Sequence, residues 1–318
     1  MLSNLWVLSN RYDYLNDLNR SSLIVAMLPP RKPFCRPFAM FPFFRRTKKQ
    51  IARLEIKGAI GSGTRTRVLE ILKEVEARKF PALLLRIDSP GGTVGDSFEI
   101  YSALKRLQEK CKIVASYGNI SASGGVFIGA AAPHVMANPG TITGSIGVIL
   151  RGNNLERLLD RVGVSFQVVK SGPYKDILSF DRQLTPPEEQ ILQDLIDSSY
   201  EQFVGVVAAG RGLTPEAVKK FADGRIFTGE QAVGLGLVDR LGTEDDARRW
   251  AAELAGLDPD KAKIYTFEEP KSLLSKVTGS RSNALTRALT QVPGATAGME
   301  WLAFELETQG MPLWLYRP

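Results

Sequence analysis

The chain has 318 residues, of which 44% are hydrophobic and 24% charged. That leaves room for one large or two modest domains and excludes a wholly disordered chain. The net charge of +7 is uneven: residues 1–50 hold nine Lys/Arg and two acids, whereas the other 268 residues carry 32 of each sign. The body is neutral, so the basic balance does not mark a nucleic-acid-binding body.

In chain order, residues 1–50 read as an appendage. Five prolines lie between Pro29 and Pro42, and Phe34, Phe38, Phe41, Phe43 and Phe44 sit beside Arg45 and Arg46. Basic and aromatic residues together suit an anionic membrane surface. The same composition suits a disordered leader, or an overextended gene start with the true start at Met27 or Met40. It resembles no standard signal peptide, because the apolar stretch Leu23–Leu28 is short and prolines follow it. The spacing then predicts a strand over Ala52–Ile60 and an amphipathic helix carrying Val68, Leu69, Ile71, Leu72 and Val75. Ala82–Ile87 is a continuous apolar strand, as in a sheet covered on both faces. A turn at Ser89–Gly92, a helix over about Asp96–Glu109 and a strand at Lys112–Tyr117 follow.

Further strands are expected at His134–Ala137, Ile146–Leu150 and Ser165–Lys170, with helices over Val126–Ala131 and about Leu155–Arg161. Thr185-Pro-Pro-Glu188 is a capping box opening a long helix to about Ala209, with Ile191, Leu192, Leu195, Ile196, Phe203, Val206 and Val207 on its apolar face. Thr214, Thr228 and Thr243 start three more helices. Strands alternating with helices make an α/β domain over about 51–260. Residues 261–318 form a C-terminal extension that ends in the charge-poor stretch Met311–Pro318. No segment reads as a membrane-spanning helix.

The 38 residues from Ile113 to Leu150 contain no Asp, Glu, Lys or Arg, but seven glycines. Such a stretch in a neutral body marks a buried, tightly turning site. Two cysteines, Cys35 and Cys111, read as ordinary thiols without zinc spacing. The single histidine, His134, excludes His-rich metal sites and reads as an exposed or capping residue. No metal or cofactor is called for.

Three motifs carry chemistry. Asp88-Ser-Pro-Gly-Gly92 ends a buried strand, and its glycines let backbone N–H groups approach a ligand. Ser121-Ala-Ser123-Gly-Gly125 puts a serine at a sharp strand-to-helix turn, the placement that exposes a nucleophile. Ser171-Gly-Pro-Tyr-Lys175-Asp176 offers a lysine in a rigid loop. A lysine serves as base if its surroundings keep the amine neutral. Taken singly, each motif also reads as a packing turn or a solvated charge.

Together with Asn138-Pro-Gly-Thr-Ile-Thr-Gly-Ser-Ile-Gly-Val148 and the stretch Ala222–Asp239, their order and spacing resemble the signal peptide peptidase A family, serine peptidases with a Ser–Lys dyad. The resemblance covers about Ile51 to Leu241. It implies Ser123 as nucleophile, Lys175 as general base, Ser145 as the residue orienting the lysine, and the N–H groups of Gly92 and Gly124 as the oxyanion hole. It implies a Clp protease/crotonase-like α/β fold, a spiral of ββα units with additional C-terminal helices. One copy of each motif implies the short form. That form is a homo-oligomer, an octameric ring in which Ser123 and Lys175 of one site come from different subunits.

Peptides or proteins, remnant signal peptides among them, are the implied substrates, with no nucleic acid partner. The expected location is a bacterial-type cell membrane or a thylakoid-like one, without a transmembrane helix and with peripheral contact through residues 1–50. Two rival classes stay open: a crotonase acting on an acyl-CoA, and a catalytically idle membrane-surface scaffold.

Overall fold

A computed structural model describes residues 49–267, 311 and 313–315. The basic arm, apart from Lys49 and Gln50, and most of the C-terminal extension lie outside the described residues, as does Cys35.

The chain opens with strand β1 (Gln50–Lys57), helix α1 (Ser62–Ala77), β2 (Ala82–Ser89), β3 (Gly91–Thr93), α2 (Val94–Leu107), β4 (Lys112–Ala122), α3 (Gly124–Gly129), β5 (His134–Ala137) and β6 (Ile142–Gly144). It continues with α4 (Glu156–Val162), α5 (Pro186–Arg211), α6 (Pro215–Lys219), β7 (Ile226–Thr228), α7 (Gly229–Gly234), β8 (Arg240–Leu241), α8 (Glu244–Leu254), β9 (Lys263–Thr266) and β10 (Leu313–Leu315). The main sheet runs β7-β6-β4-β2-β1-β9, and β5 and β8 continue from the first half of β4. All of its pairs are parallel except β6 with β7. The α/β architecture is the expected one.

The apolar run of β2 follows from its place in the middle of the sheet. Leu83, Leu85 and Ile87 point to one face and pack with Val68, Leu72, Ile100 and Leu104 of α1 and α2. Ala82 and Leu84 point to the other and pack with Ala247, Trp250 and Ala251 of α8. Period-2 alternation thus serves two apolar cores. Each such fully buried side chain contributes about 1.5–3 kcal/mol.

Parallel strands end together, so the chain ends after β2, β4 and β6 gather at one edge of the sheet. In β4, Ser121 is in register with Ser89 of β2 and with Thr143 of β6. A register shift between Ile87 and Ser89 lets β4 run on past the point expected from sequence, to Ala122.

Two expected strands are absent. Residues 146–150 form no ladder, only a single bridge at Ile149, because Gly144 (φ +88°) and Ser145 (φ +50°) turn the chain out of the sheet. Residues 165–170 are without secondary structure and exposed. Phe166 and Val168 have the alternating apolar character of a strand, yet both are more than half exposed and Val169 is fully exposed, and no edge of the described chain pairs with them.

The long helix α5 begins at its capping box, where Glu188 accepts from the Thr185 N–H and hydroxyl, both at 2.9 Å. Only its second half packs: Phe203, Val204, Val207 and Ala208 are buried, while Ile191 and Leu195 are exposed. Ile191 and Leu195 of the expected apolar face therefore stay exposed among the described residues.

Candidate active site

The turn after β2 is built around Gly92. Ser89 Oγ accepts from Gly91 N at 3.1 Å, and Gly91 takes φ +105°. Ile60 then clamps the next residues: its N–H donates to Gly91 O at 2.8 Å and its carbonyl accepts from Thr93 N at 2.9 Å. A Cβ on Gly92 would lie 1.9 Å from Ile60 O. The double glycine is thus required by close backbone approach, and it leaves the Gly92 N–H directed away from Ile60.

The second turn carries Ser123. Among the described residues, four non-glycine positions have positive φ, and Ser123 (+52°) and Ser145 (+50°) are two of them. Such conformations cost on the order of 1–3 kcal/mol and persist only where surroundings enforce them. Here the enforcement is visible. Ser123 N donates to Gly144 O at 2.8 Å, and Ser123 O accepts from Phe127 N at 3.0 Å in the first turn of α3. Thr143 Oγ1 donates to Ser121 O at 2.7 Å. Gly125 leaves space that a Cβ would fill, 3.1 Å from Ser89 O. Ser123 is 1% exposed, and its Oγ has no hydrogen-bond partner. Gly124 opens α3, so its N–H is one of the first-turn donors that no helical carbonyl reaches.

Ser145 directly follows the residue whose carbonyl holds Ser123. Its N–H donates to Arg225 O at 2.7 Å. It opens on a cavity of ≈ 510 Å³ lined also by Val148, Ile196, Tyr200 and Asp223. Lys219 is on this cavity too, but it pairs with Glu201 at 2.7 Å. That hydrogen bond pushes its pKa up, so this lysine is held charged and unsuited to accept a proton.

Four of the five expected site residues, Gly92, Ser123, Gly124 and Ser145, converge at this edge of the sheet. Lys175 does not join them within one chain. It is exposed, in a loop where its N–H donates to Gly172 O at 3.3 Å, and Ser123 Oγ contacts no lysine. Its neighbour Asp176 turns to Lys170 (2.6 Å) and Arg182 (2.9 Å) instead. Arg182 also reaches Glu188 at the start of α5, at 2.8 Å. Arg182, then Lys170, hold the Asp176 carboxyl well below the usual carboxylate range.

His134 pairs in register with Val114, in the first half of β4 and away from Ser123. Its ring packs on Trp250 with centroids 4.8 Å apart, and burial lowers its pKa. Cys111 is buried and its thiol is pushed up to about 12 by desolvation, which makes it inert.

Sequence reasoning missed the part played by Asp88. Its carboxylate accepts from Ile120 N at 3.1 Å and from Asn119 Nδ2 at 3.3 Å. It therefore ties the first motif to the strand that delivers Ser123. An acid ending a buried strand was the available signal, but nothing local named a partner 32 residues away. The strand β10 was missed as well.

Among the described residues no helix is long and apolar enough to cross a membrane, and no group of His, Cys, Asp and Glu could hold a metal ion.

A ClpP1 mutant from Listeria monocytogenes superimposes with a TM-score of 0.44 at 19% identity, over 61% of this chain and 93% of that one. The chain is 66% identical over 278 residues to a Synechocystis sp. protein named as a protease, slr0021, covering 87% of this chain and all of that one. It is 39% identical over 215 residues to Protease 4 of Salmonella typhi, covering 66% of this chain and 34% of the relative. With the chloroplastic serine protease SPPA of Arabidopsis thaliana it shares 30% over 247 residues, 77% of this chain and 36% of the relative. Residues 105–258 match Peptidase family S49, and the chain belongs to that family as a serine peptidase of the signal peptide peptidase A kind.

Proposed function

We propose that the protein is an endopeptidase with a Ser123–Lys175 dyad completed between subunits. The observation that carries this reading is the mismatch between the two residues. Ser123 is forced into a strained, buried turn with an unpartnered hydroxyl, while Lys175 stands exposed on a segment whose apolar residues lack cover. Leu158, Val162, Phe166, Val168 and Val169 are all more than half exposed. A second copy of the chain is the natural cover for such a surface, and a ring closes the set. The octamer expected from the sequence belongs to this proposal.

In the mechanism, a lysine from the neighbour takes the Ser123 proton as Oγ attacks the peptide carbonyl. As base, the arriving lysine acts through its free amine. Gly92 and Gly124 N–H groups hold the oxyanion. Ser145, beside Ser123, orients the amine. Lys175 then protonates the leaving amine, and water hydrolyses the acyl-enzyme with the same group as base. Apolar peptides such as remnant signal peptides suit the uncharged cleft, and the basic arm would bring the ring to an anionic membrane.

The test is subunit complementation. Ser123→Ala and Lys175→Ala homo-oligomers should each be inactive on a fluorogenic peptide. Dissociated and reassembled together, they should regain about a quarter of wild-type activity, the fraction of randomly mixed sites that receive both residues. Activity in either pure variant, or none in the mixture despite assembly, would overturn the shared dyad.

A further inference from the structure

Four threonines stand at a helix N-cap with an acid or amide three residues on: Thr93 with Asp96, Thr185 with Glu188, Thr228 with Gln231 and Thr243 with Asp246. In three of them the later side chain folds back to accept from the threonine N–H, Glu188 and Gln231 at 2.9 Å and Asp246 at 2.8 Å. That is the usual closure of a capping box. The fourth, beside Gly92, departs from it. The Thr93 N–H already donates to Ile60 O at 2.9 Å, and the Asp96 carboxylate accepts from the Thr93 hydroxyl instead.

The other oxygen of Asp96 lies 3.2 Å from Arg65 Nη1, and the Asp96 side chain is only 13% exposed. Glu99, one turn on in α2, is farther from Arg65 at 3.7 Å and open to solvent. Arg65 closes the first turn of α1, its N–H donating to Gly61 O at 2.9 Å. Each wall of the Gly92 turn therefore runs directly into a helix. Ile60 precedes Gly61, the N-cap of α1, and Thr93 is the N-cap of α2. The Arg65–Asp96 pair ties the two helix starts together. Ile60 and Gly92 meet in an isolated parallel bridge, and Gly92 has no side chain to key its register. The relative placement of α1 and α2 thus sets where the Gly92 N–H points.

We propose that Arg65 and Asp96 are positioning residues of the peptidase, whose ion pair aims the Gly92 N–H through Ile60 and Thr93. This role rests on Gly92 being an oxyanion donor, as in the proposed mechanism. The oxyanion exists only after attack on the peptide carbonyl. A misdirected donor is then felt in the transition state and not in ground-state binding, so kcat falls while KM holds.

The test sets Asp96→Ala and Arg65→Met against Asp246→Ala, which opens a capping box on the other face of the sheet. All three should melt about 2–4 °C lower. On a fluorogenic peptide, kcat should fall about tenfold in the first two with KM unchanged, the size of loss that a small misplacement brings, and should hold in Asp246→Ala. The double variant should be no slower than either single one, because the two residues act as a unit. Affinity for a peptide aldehyde, which forms a tetrahedral adduct with Ser123, should weaken by the same factor as kcat. Unchanged kcat in Asp96→Ala and Arg65→Met, a loss that appears in KM, or an equal loss in Asp246→Ala would overturn the proposal. Should Asp96→Ala fail to fold, Asp96→Asn replaces it with the same outcomes, since it keeps an acceptor for Thr93 and removes only the charge. Failure of the peptidase reading would show separately, as cleavage retained by Ser123→Ala.

Discussion

Two regions of the molecule differ in how completely they specify themselves. At the sheet edge that holds Ser123, every backbone turn is enforced from within the chain: Ile60 clamps Gly92, Gly144 clamps Ser123, and Arg225 clamps Ser145. The segment 151–184 is held by charges among its own residues and at the start of α5, and it presents apolar side chains to solvent. Under the proposed mechanism, preorganisation of the nucleophile is a property of one chain, whereas placement of the base is a property of the assembly. Mutations in the first region should act on chemistry in every subunit. Disturbance of the second should act through subunit contacts.

The largest effect is expected at Gly92. Alanine there brings Cβ within 1.9 Å of Ile60 O, so the backbone must shift and the N–H with it. Loss of one oxyanion donor, the role proposed for Gly92, costs about 10²–10³ in kcat, and overpacking adds about 1–3 kcal/mol of destabilisation. Gly95→Ala, three residues on in α2 with nothing within 4 Å, is the control. It should keep the activity and gain about 0.4–1 kcal/mol of stability. Steady-state kinetics and thermal melts on the two variants check both. Equal losses in the two would mean that the turn is merely intolerant of side chains.

A smaller effect is expected at Asp88, which orders the strand leading to Ser123 without being placed at the reacting atoms. Asp88→Ala leaves the Ile120 N–H without its acceptor, worth about 1–3 kcal/mol of stability. The slight displacement of β4 should lower kcat by about tenfold, within the range that small misplacements produce. KM should hold, because the cleft walls are untouched. A KM rise with unchanged kcat would move Asp88 out of this role.

Much of the first region was legible in the sequence. DSPGG and SASGG state their turns locally, since glycines and small residues are needed wherever backbone meets backbone, and the apolar run of β2 announces a covered central strand. Boundaries slipped where distant contacts decide them. β4 runs on to Ala122 because its neighbours β2 and β6 extend that far. Ile146–Leu150 has strand composition, but positive φ at Gly144 and Ser145 takes it off the ladder. In the second region, Ser165–Lys170 reads as a strand and Ile191 and Leu195 as core, because composition records that a residue will be covered and not which molecule covers it. β10 was illegible for a related reason: three residues after a long connection carry no pattern of their own, and only the free edge at Gly92 reveals where they pair.

The smallest effect separates the two regions by pH. Arg182 binds both Asp176 and Glu188, and its hydrogen bonds hold Glu188 down at about 2 and Asp176 lower still. Both folded values lie below the ordinary carboxylate values of about 4. The sign follows: stabilisation from these pairs is fully present above about pH 4, and it is lost as pH falls through the folded values, toward about 2 for Glu188. Glu188 is buried, but Arg182 and Asp176 are partly exposed, so the effect on global stability is small. Hydrogen exchange should nevertheless show residues 163–184 losing protection in that window, before the β2 and β4 amides do. Arg182→Met should give the same local loosening at neutral pH, with the Ser123 turn unaffected. If both regions lost protection together, the segment carrying Lys175 would share the stability of the core, and the contrast between a self-sufficient half-site and a dependent one would fail.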